Sequence, residues 1–306
     1  MVGLSHGLVR ICICVLLGLP ALAFAQPDQD AKSLDDIARD LSNPVSAISY
    51  IANDFEYRTY QGDLPGAGDQ SSEVYLFRPS VGIPLRNGKN ILLRAALPIH
   101  LSQPKYVADH EYYDHLIRQR ADIMPRNGEF ETGHSFQGDY YYDLAYGGVS
   151  DNGWITMYGI AGVLGTSKDG SAARNQNLLG PEFAFGKETD WGVIGAWLNH
   201  MVDVSGSGWV EVDTQLTNAK IFFAYGLGNG WQIFSNPVIT YDWEAVSGNK
   251  LLLPVSVGVS KLTRIGKMPL NLAMDIQNYV VSPDAYGPEW LLRFSVTPVF
   301  PNLFQR

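Results

Sequence analysis

The sequence predicts an all-β chain: a transmembrane, antiparallel, up-and-down β-barrel of about twelve strands (about ten to fourteen), preceded by a short N-terminal helix. Three observations carry this. Many segments alternate apolar and polar side chains, the period that puts neighbours on opposite faces of a strand. The connections between them take turns at being short and long, as when antiparallel strands cross a bilayer with tight turns on one side and loops on the other. Aromatic residues gather at strand ends, where rings with a polar atom suit a membrane–water boundary.

Met1 to Ala25 carries one basic residue, Arg10, and the apolar run Ile11 to Leu17, and it closes on Ala23-Phe24-Ala25, the small-x-small pattern of a secretory cleavage site. The run is short of the roughly 20 residues of a spanning helix. We read residues 1–25 as a cleaved signal peptide and the destination as the Gram-negative outer membrane. Both cysteines, Cys12 and Cys14, lie in this segment, so cleavage leaves no disulfide, thiol catalyst or thiolate metal site. Cleavage also removes Arg10 and no acidic residue, so 22 Lys and Arg become 21 against 31 Asp and Glu, a net of −10. No basic patch favours nucleic acid.

Residues 26–43 are polar and acidic, with one helical pattern, Ser33 to Leu41. Ser33 can cap it, Asp35 and Asp36 suit the first turn, and Leu34, Ile37 and Leu41 share a face. Asn43-Pro44 ends it. The simpler reading is a periplasmic leader; the alternative is a helix docked against or into the β domain. The barrel is then assigned to 44–306.

Strands are expected near 45–57, 73–84, 90–101, 138–148, 153–163, 179–186, 190–202, 212–225, 230–243, 250–260, 268–280 and 288–300. In the last, Trp290, Leu292, Phe294 and Val296 oppose Leu291, Arg293, Ser295 and Thr297. Leu93, Ala95, Leu97 and Ile99 oppose Arg94 and Ala96; Leu253, Val255, Val257 and Val259 oppose Ser256, Gly258 and Ser260. Leu270, Leu272, Met274 and Ile276 oppose Asn271, Asp275 and Gln277.

Tight turns are expected at Arg86-Asn87-Gly88-Lys89, at Ser150-Asp151-Asn152-Gly153, at Gly186-Lys187-Glu188-Thr189 and in Gly226 to Gly230. Longer connections fall at 58–72, 102–137, 164–178 and 203–211. A soluble Greek-key sandwich has no reason to sort its connections by parity. Trp154, Trp191, Trp231 and Trp290 start strands, while Tyr57, Tyr225, Tyr241, Trp243 and Tyr279 stand near strand ends, which predicts two girdles.

Several stretches also carry a family likeness: Leu41 to Ser46, Arg78 to Leu85, Leu179-Gly180-Pro181-Glu182, Gly230 to Ile233 with Asn236-Pro237, Tyr241-Asp242-Trp243, Leu253 to Gly258, and Gly287 to Arg293. In this order they resemble a family of Gram-negative outer-membrane proteins named for the MetA pathway of phenol degradation. The resemblance implies a transporter-like, porin-like barrel passing a small solute, aromatic or otherwise hydrophobic. One departure is the C-terminus, where Phe304 is followed by Gln305-Arg306 instead of ending the chain.

In such a barrel the polar members of the strands line the lumen. The candidates are Arg78, Arg94, Asp143, Glu182, Lys220, Asp242, Asp275 and Arg293. Either opposed acidic and basic walls orient a polar solute, or the groups pair with one another and fill the barrel. The expected activity is passive or facilitated passage with no turnover and no cofactor; the alternative is a closed barrel acting through its outer loops. The expected partners are outer-membrane lipids and lipopolysaccharide, the barrel-assembly machinery and an unidentified small solute.

The 102–137 connection holds Asp109-His110-Glu111 and Asp114-His115, followed by Arg118, Arg120, Asp122 and Arg126. The two histidines are five apart, not the four that puts them on one helical face, so a surface loop or an inward constriction is preferred to a metal site. A lipid-modifying enzyme is the third reading. Adjacent His134 and Ser135 would face opposite sides of a strand, and His200 has no Ser two residues away, so no catalytic site is assigned. Asn53-Asp54, with Thr59 beyond, faintly resembles the acidic site of a metal-dependent lipid A deacylase barrel, but no histidine follows in a matching context.

Overall fold

The computed structural model describes residues 32–108, 128–167, 175–205 and 213–300. Helix α1 (Leu34–Ser42) starts where Ser33 Oγ accepts from the Asp36 amide at 3.1 Å. The strands are β1 (Ser49–Gln61), β2 (Ser71–Pro84), β3 (Asn90–Ala108), β4 (Gly128–Gln137), β5 (Tyr140–Val149), β6 (Trp154–Leu164) and β7 (Asn177–Thr189). They continue as β8 (Gly192–Ser205), β9 (Gln215–Gly228), β10 (Trp231–Ser235), β11 (Val238–Asp242), β12 (Leu251–Ile265), β13 (Met268–Val281) and β14 (Gly287–Phe300).

Every pairing is antiparallel, and β14 returns to β1 in register from Ser49↔Phe300 to Gln61↔Gly287, which closes the sheet. The fourteen segments make twelve wall strands. β4 and β5 both pair with β3 and form one strand broken at Gly138-Asp139. β10 and β11 both pair with β9 and β12 and form one strand broken at Asn236-Pro237.

Tight turns join β2 to β3, β5 to β6, β7 to β8, β9 to β10 and β12 to β13, and all lie at one end. At the β9–β10 turn, Asn229 and Gly230 have φ of 55° and 78°, the left-handed pair that a two-residue hairpin requires. The other connections are longer, so the short–long alternation runs the whole way round.

Three sequence expectations change. The turn expected at Gly186 to Thr189 lies inside β7; the chain reverses at Asp190-Trp191, where Thr189 Oγ1 accepts from the Gly192 amide at 3.2 Å. The described ends of the 102–137 connection are strand, because β3 runs on to Ala108 and β4 returns from Gly128. Tyr106 faces Phe130 and Lys105 faces Glu131 across that extension, a ring pair and a charge pair that favour continued pairing. The histidines and carboxylates of 109–126 lie outside the described residues, as do residues 1–31 and the C-terminal 301–306. Third, β1 begins at Ser49 instead of near 45, because the preceding residues turn inward.

The burial pattern is inverted relative to a soluble barrel. Along β14, Trp290, Leu292 and Phe294 are each more than 40% exposed, whereas Leu291, Ser295 and Thr297 are buried. Val255 and Val257 of β12 and Met274 and Ile276 of β13 are exposed while Ser260, Asp275 and Gln277 are buried. Apolar groups outward and polar groups inward is the arrangement a barrel in lipid requires. Among the described residues no helix is long and apolar enough to cross a membrane.

The aromatic rings form two outward groups. Trp154, Trp191, Tyr225 and Trp231 stand exposed at the short-turn end, and Tyr57, Trp243 and Trp290 at the long-loop end. Tyr279 departs from this expectation: it is buried and faces the interior, because it falls on the inward parity of β13 with Asp275 and Gln277.

Candidate lumen site

The N-terminal segment is part of the interior. Asp35 accepts from the Asn229 and Gly230 amides of the β9–β10 turn at 3.2 and 2.5 Å. Ser42 donates to Gln232 at 3.1 Å and Asn43 to Glu188 at 2.6 Å. Ile37 and Ala38 bury their side chains with Leu262 of β12 and Val299 of β14. The residues between the helix and β1 continue inside. Val45, fully buried, packs among Leu92, Ala145, Ile155 and Phe222 of four wall strands. Two wall glycines permit this approach: a Cβ at Gly82 would fall 2.5 Å from Ala47 Cα, and one at Gly147 would fall 2.9 Å from Val45 Cγ1. A free leader ahead of the barrel is therefore not what the chain builds. The apolar stripe of α1 needs burial, and the inner wall at the short-turn end supplies it.

Above this floor lies a cavity of about 520 Å³, lined by the N-terminal segment and by the wall strands. Five of its side chains are basic: Arg58, Arg78, Arg94, Lys220 and Arg293. Two are acidic, Glu56 and Asp275. Asp54, Asp143 and Glu182 are buried behind the arginines and do not line the cavity.

The charges form two networks. Across β13, β14, β1 and β2, Arg293 donates to Glu56 at 2.8 Å and lies 3.5 Å from Asp275. Arg58 also pairs with Glu56. Arg78 contacts Asp54 at 2.5 Å, and Ser295 donates to the other oxygen of Asp54 at 2.6 Å. Across β3, β5, β7 and β8, Arg94 Nε donates to Asp143 at 2.7 Å, and Arg94 lies 3.7 Å from Glu182. Its guanidinium stacks 4.0 Å from the Trp197 ring centroid, and Trp197 Nε1 donates to Glu182 at 3.0 Å. Arg94 also donates to the Pro44 carbonyl at 2.9 Å, which ties the floor to the wall.

Of the eight residues singled out from sequence, Arg78, Arg94, Lys220, Asp275 and Arg293 stand on the cavity wall. Asp143 and Glu182 stand behind Arg94. Asp242 is apart: at the end of β11 its carboxylate accepts from the Glu244 and Ala245 amides at 3.1 and 3.2 Å, shaping the turn that follows. Acidic and basic groups do not form opposed walls. They interleave, with carboxylates held against the strands and guanidiniums above them.

Sequence reasoning missed Asp54, Glu56, Arg58 and Trp197 as site residues. Glu56 and Arg58 share the inward parity of β1 but fall at the edge of, or past, the strand end expected at 57. Trp197 is the register partner of Lys220, whose ammonium sits 5.5 Å from its ring centroid. Among the described residues Lys220 has no carboxylate at ion-pair distance, and no group of three or more His, Cys, Asp or Glu could hold a metal. On the outer face, His200 meets Thr217 of the neighbouring strand at 2.8 Å, and Trp243 Nε1 donates to that hydroxyl at 2.9 Å.

No family model matches the chain, and no curated protein matches it. Among solved structures, an outer-membrane channel from Pseudomonas putida F1 superposes with a TM-score of 0.58 at 11% identity, covering 91% of this chain and 100% of that one. The fold is that of an outer-membrane barrel. Weaker likenesses include the Pseudomonas putida toluene transporter TodX, with TM-score 0.43 and 11% identity over 86% of this chain and 93% of that one. The Escherichia coli outer-membrane phospholipase A gives 0.41 at 13% identity, over 90% of this chain and 100% of that one.

Proposed function

We propose that the protein is an outer-membrane channel that passes a small solute by passive or facilitated diffusion, without cofactor or turnover. The observation that carries this reading is the cavity inside a closed barrel, walled by five basic and two acidic side chains. Its volume of about 520 Å³ is roughly three times that of the ~150 Å³ engineered cavity that admits benzene. A single-ring solute therefore fits with water to spare. Arginine stays protonated at any working pH, so the wall favours a solute with a carboxylate, a hydroxyl or another acceptor group. The apolar wall residues Leu76, Phe222 and Leu252 suit its ring. The family likeness of the sequence motifs and the fold of the Pseudomonas putida F1 channel both agree with this reading.

The docked N-terminal segment favours a second reading, a barrel closed at its periplasmic end that acts through its outer loops. Planar-bilayer conductance of the refolded protein, with and without the N-terminal segment through Asn43, separates the two. Discrete steps with chloride preferred over potassium in the intact protein support the channel. Steps only after truncation make the segment a plug. Silence from both, with folding and insertion demonstrated, overturns the channel.

A further inference from the structure

The barrel wall is interrupted at one place more than anywhere else. Between the β10–β11 strand and β12 the ladder runs from Trp231↔Lys261 to Phe234↔Gly258, and it resumes in the same register only at Thr240↔Leu252. Five consecutive positions, 235–239 opposite 253–257, are unpaired on that side, and no other interruption among the described strands exceeds three residues. The cause is in the sequence. Pro254, opposite Val238, removes a backbone donor from this ladder, whereas Pro237 turns toward β9, where its carbonyl accepts from the Ile221 amide at 3.1 Å. Side chains bridge the gap instead: Ser235 Oγ donates to the Ser256 carbonyl at 2.7 Å, and the Asn236 amide donates to Ser256 Oγ at 3.1 Å.

The seam opens onto the cavity. Phe234, Val238 and Leu252 line the cavity at this level, and Val238 is 40% exposed although it faces inward. Outside, Val255 and Val257 are more than half exposed. Neither 233–241 nor 251–260 contains a charged residue, so an ion at the seam would shed its hydration with nothing to replace it. The cavity floor, by contrast, is lined by the N-terminal segment, Leu41 to Pro44 with Ser46 and Ile48.

We propose that this seam is a lateral exit through which a small uncharged amphiphile, an apolar body bearing one hydrogen-bonding group, passes from the cavity into the bilayer. The proposal deepens the channel reading above and rests on it. The solute's polar group is held among the arginines, its body leaves between Val238 and Val255, and parting the strands breaks only the hydroxyl bridges of Ser235 and Ser256.

The test is a disulfide lock, Asn236→Cys with Ser256→Cys, two directly opposed positions close enough for the amide–hydroxyl contact at 3.1 Å. The chain's only cysteines, Cys12 and Cys14, precede the described residues. Uptake of N-phenyl-1-naphthylamine, an uncharged aromatic amine, is followed in intact cells whose lipopolysaccharide excludes it, at equal surface abundance of protein. Single-channel conductance of the same protein is recorded alongside. The expected result is loss of probe uptake to the level of cells lacking the protein on oxidation, recovery on reduction, and unchanged conductance. A second variant, Pro254→Val, restores a ladder donor and is expected to slow uptake while folding as before. Equal uptake in the oxidised and reduced proteins overturns the lateral exit and leaves the channel standing. So does a lock that lowers uptake and conductance together, because that puts the solute on the axial path. Absence of both uptake and conductance in the unmodified protein overturns the channel reading itself, and the exit with it.

Discussion

Replacing Arg94 by methionine isolates what the lumen charges do for the fold. Arg94 has a side chain only 11% exposed, and it compensates Asp143 and Glu182, whose side chains are 1% and 0% exposed. One oxygen of Glu182 has no hydrogen-bond donor among the described residues, so Arg94 is its main counter-charge. Methionine keeps the packing against Trp197 but leaves two carboxylates buried without a cation. Removing one partner of a buried pair costs about 3–5 kcal/mol, and because this site borders a cavity that water can enter we expect the low end, about 3 kcal/mol. That is a large share of the roughly 5–15 kcal/mol that separates folded from unfolded chains. The assay is urea unfolding of the protein in lipid vesicles, followed by fluorescence of its 7 tryptophans. The triple variant Arg94→Met, Asp143→Asn, Glu182→Gln removes the orphaned charges as well, and we expect it to return to within about 1 kcal/mol of the original. The reasoning is refuted if the single variant unfolds within 1 kcal/mol of the unmodified protein, or if the triple is no more stable than the single.

Three further outcomes follow from the geometry. Met274→Arg puts a cation on the exposed apolar face in the middle of β13 and should cost about 2–4 kcal/mol in vesicles; a change near zero would mean that this face meets water instead of lipid. Gly82→Val drives a side chain into the Ala47 backbone, so the N-terminal segment should lose its seat. Proteolysis at residues 43–48 would accelerate while the strands stay protected, and unchanged cleavage would show that the wall yields instead. Ile37→Ala removes the buried residue of α1 that packs with Leu262 and Val299, and should weaken docking by about 2–4 kcal/mol, read as faster amide exchange confined to residues 34–48. Exchange that spreads into β12 and β14 would mean that the floor holds the wall together, which the closed ladder of those strands argues against.

The wall was legible in the sequence because its signal is local. Alternation along Leu270 to Gln277, or along Trp290 to Thr297, needs no partner to be read, and the turn chemistry of Asn229-Gly230 fixes the hairpin it closes. What depended on contact between distant segments was not legible. Ser33 to Leu41 is plainly helical and amphipathic, yet nothing in it says that its apolar face will meet Leu262 and Val299, more than two hundred residues along the chain. The same holds for pairing. Arg94 sits directly opposite Asp143, and Arg293 directly opposite both Asp275 and Glu56, but those identities follow from register, which sequence leaves open until the loops are known. Arg58 lies past the expected end of the first strand, and the pairing of Glu56 with Arg293 is likewise a matter of register.

Charges that conduct and charges that pair within the barrel do not exclude one another. In so narrow a barrel an unpaired carboxylate on the inner wall is costly, so Asp54, Asp143 and Glu182 are held against the strands by Arg78 and Arg94. A guanidinium has five donors in a planar fork, and a single carboxylate engages two or three of them. Arg58, Arg78, Arg94 and Arg293 all line the cavity as well as pairing with these carboxylates. On the proposed channel reading, pairing produces the solute-facing surface instead of competing with it: the acidic partners set where each arginine stands, and the arginines would set what the cavity binds. It follows that neutralising Asp54 should loosen Arg78 and alter solute binding without touching the cavity, whereas a lumen built on opposed walls would register the loss as a change of field alone.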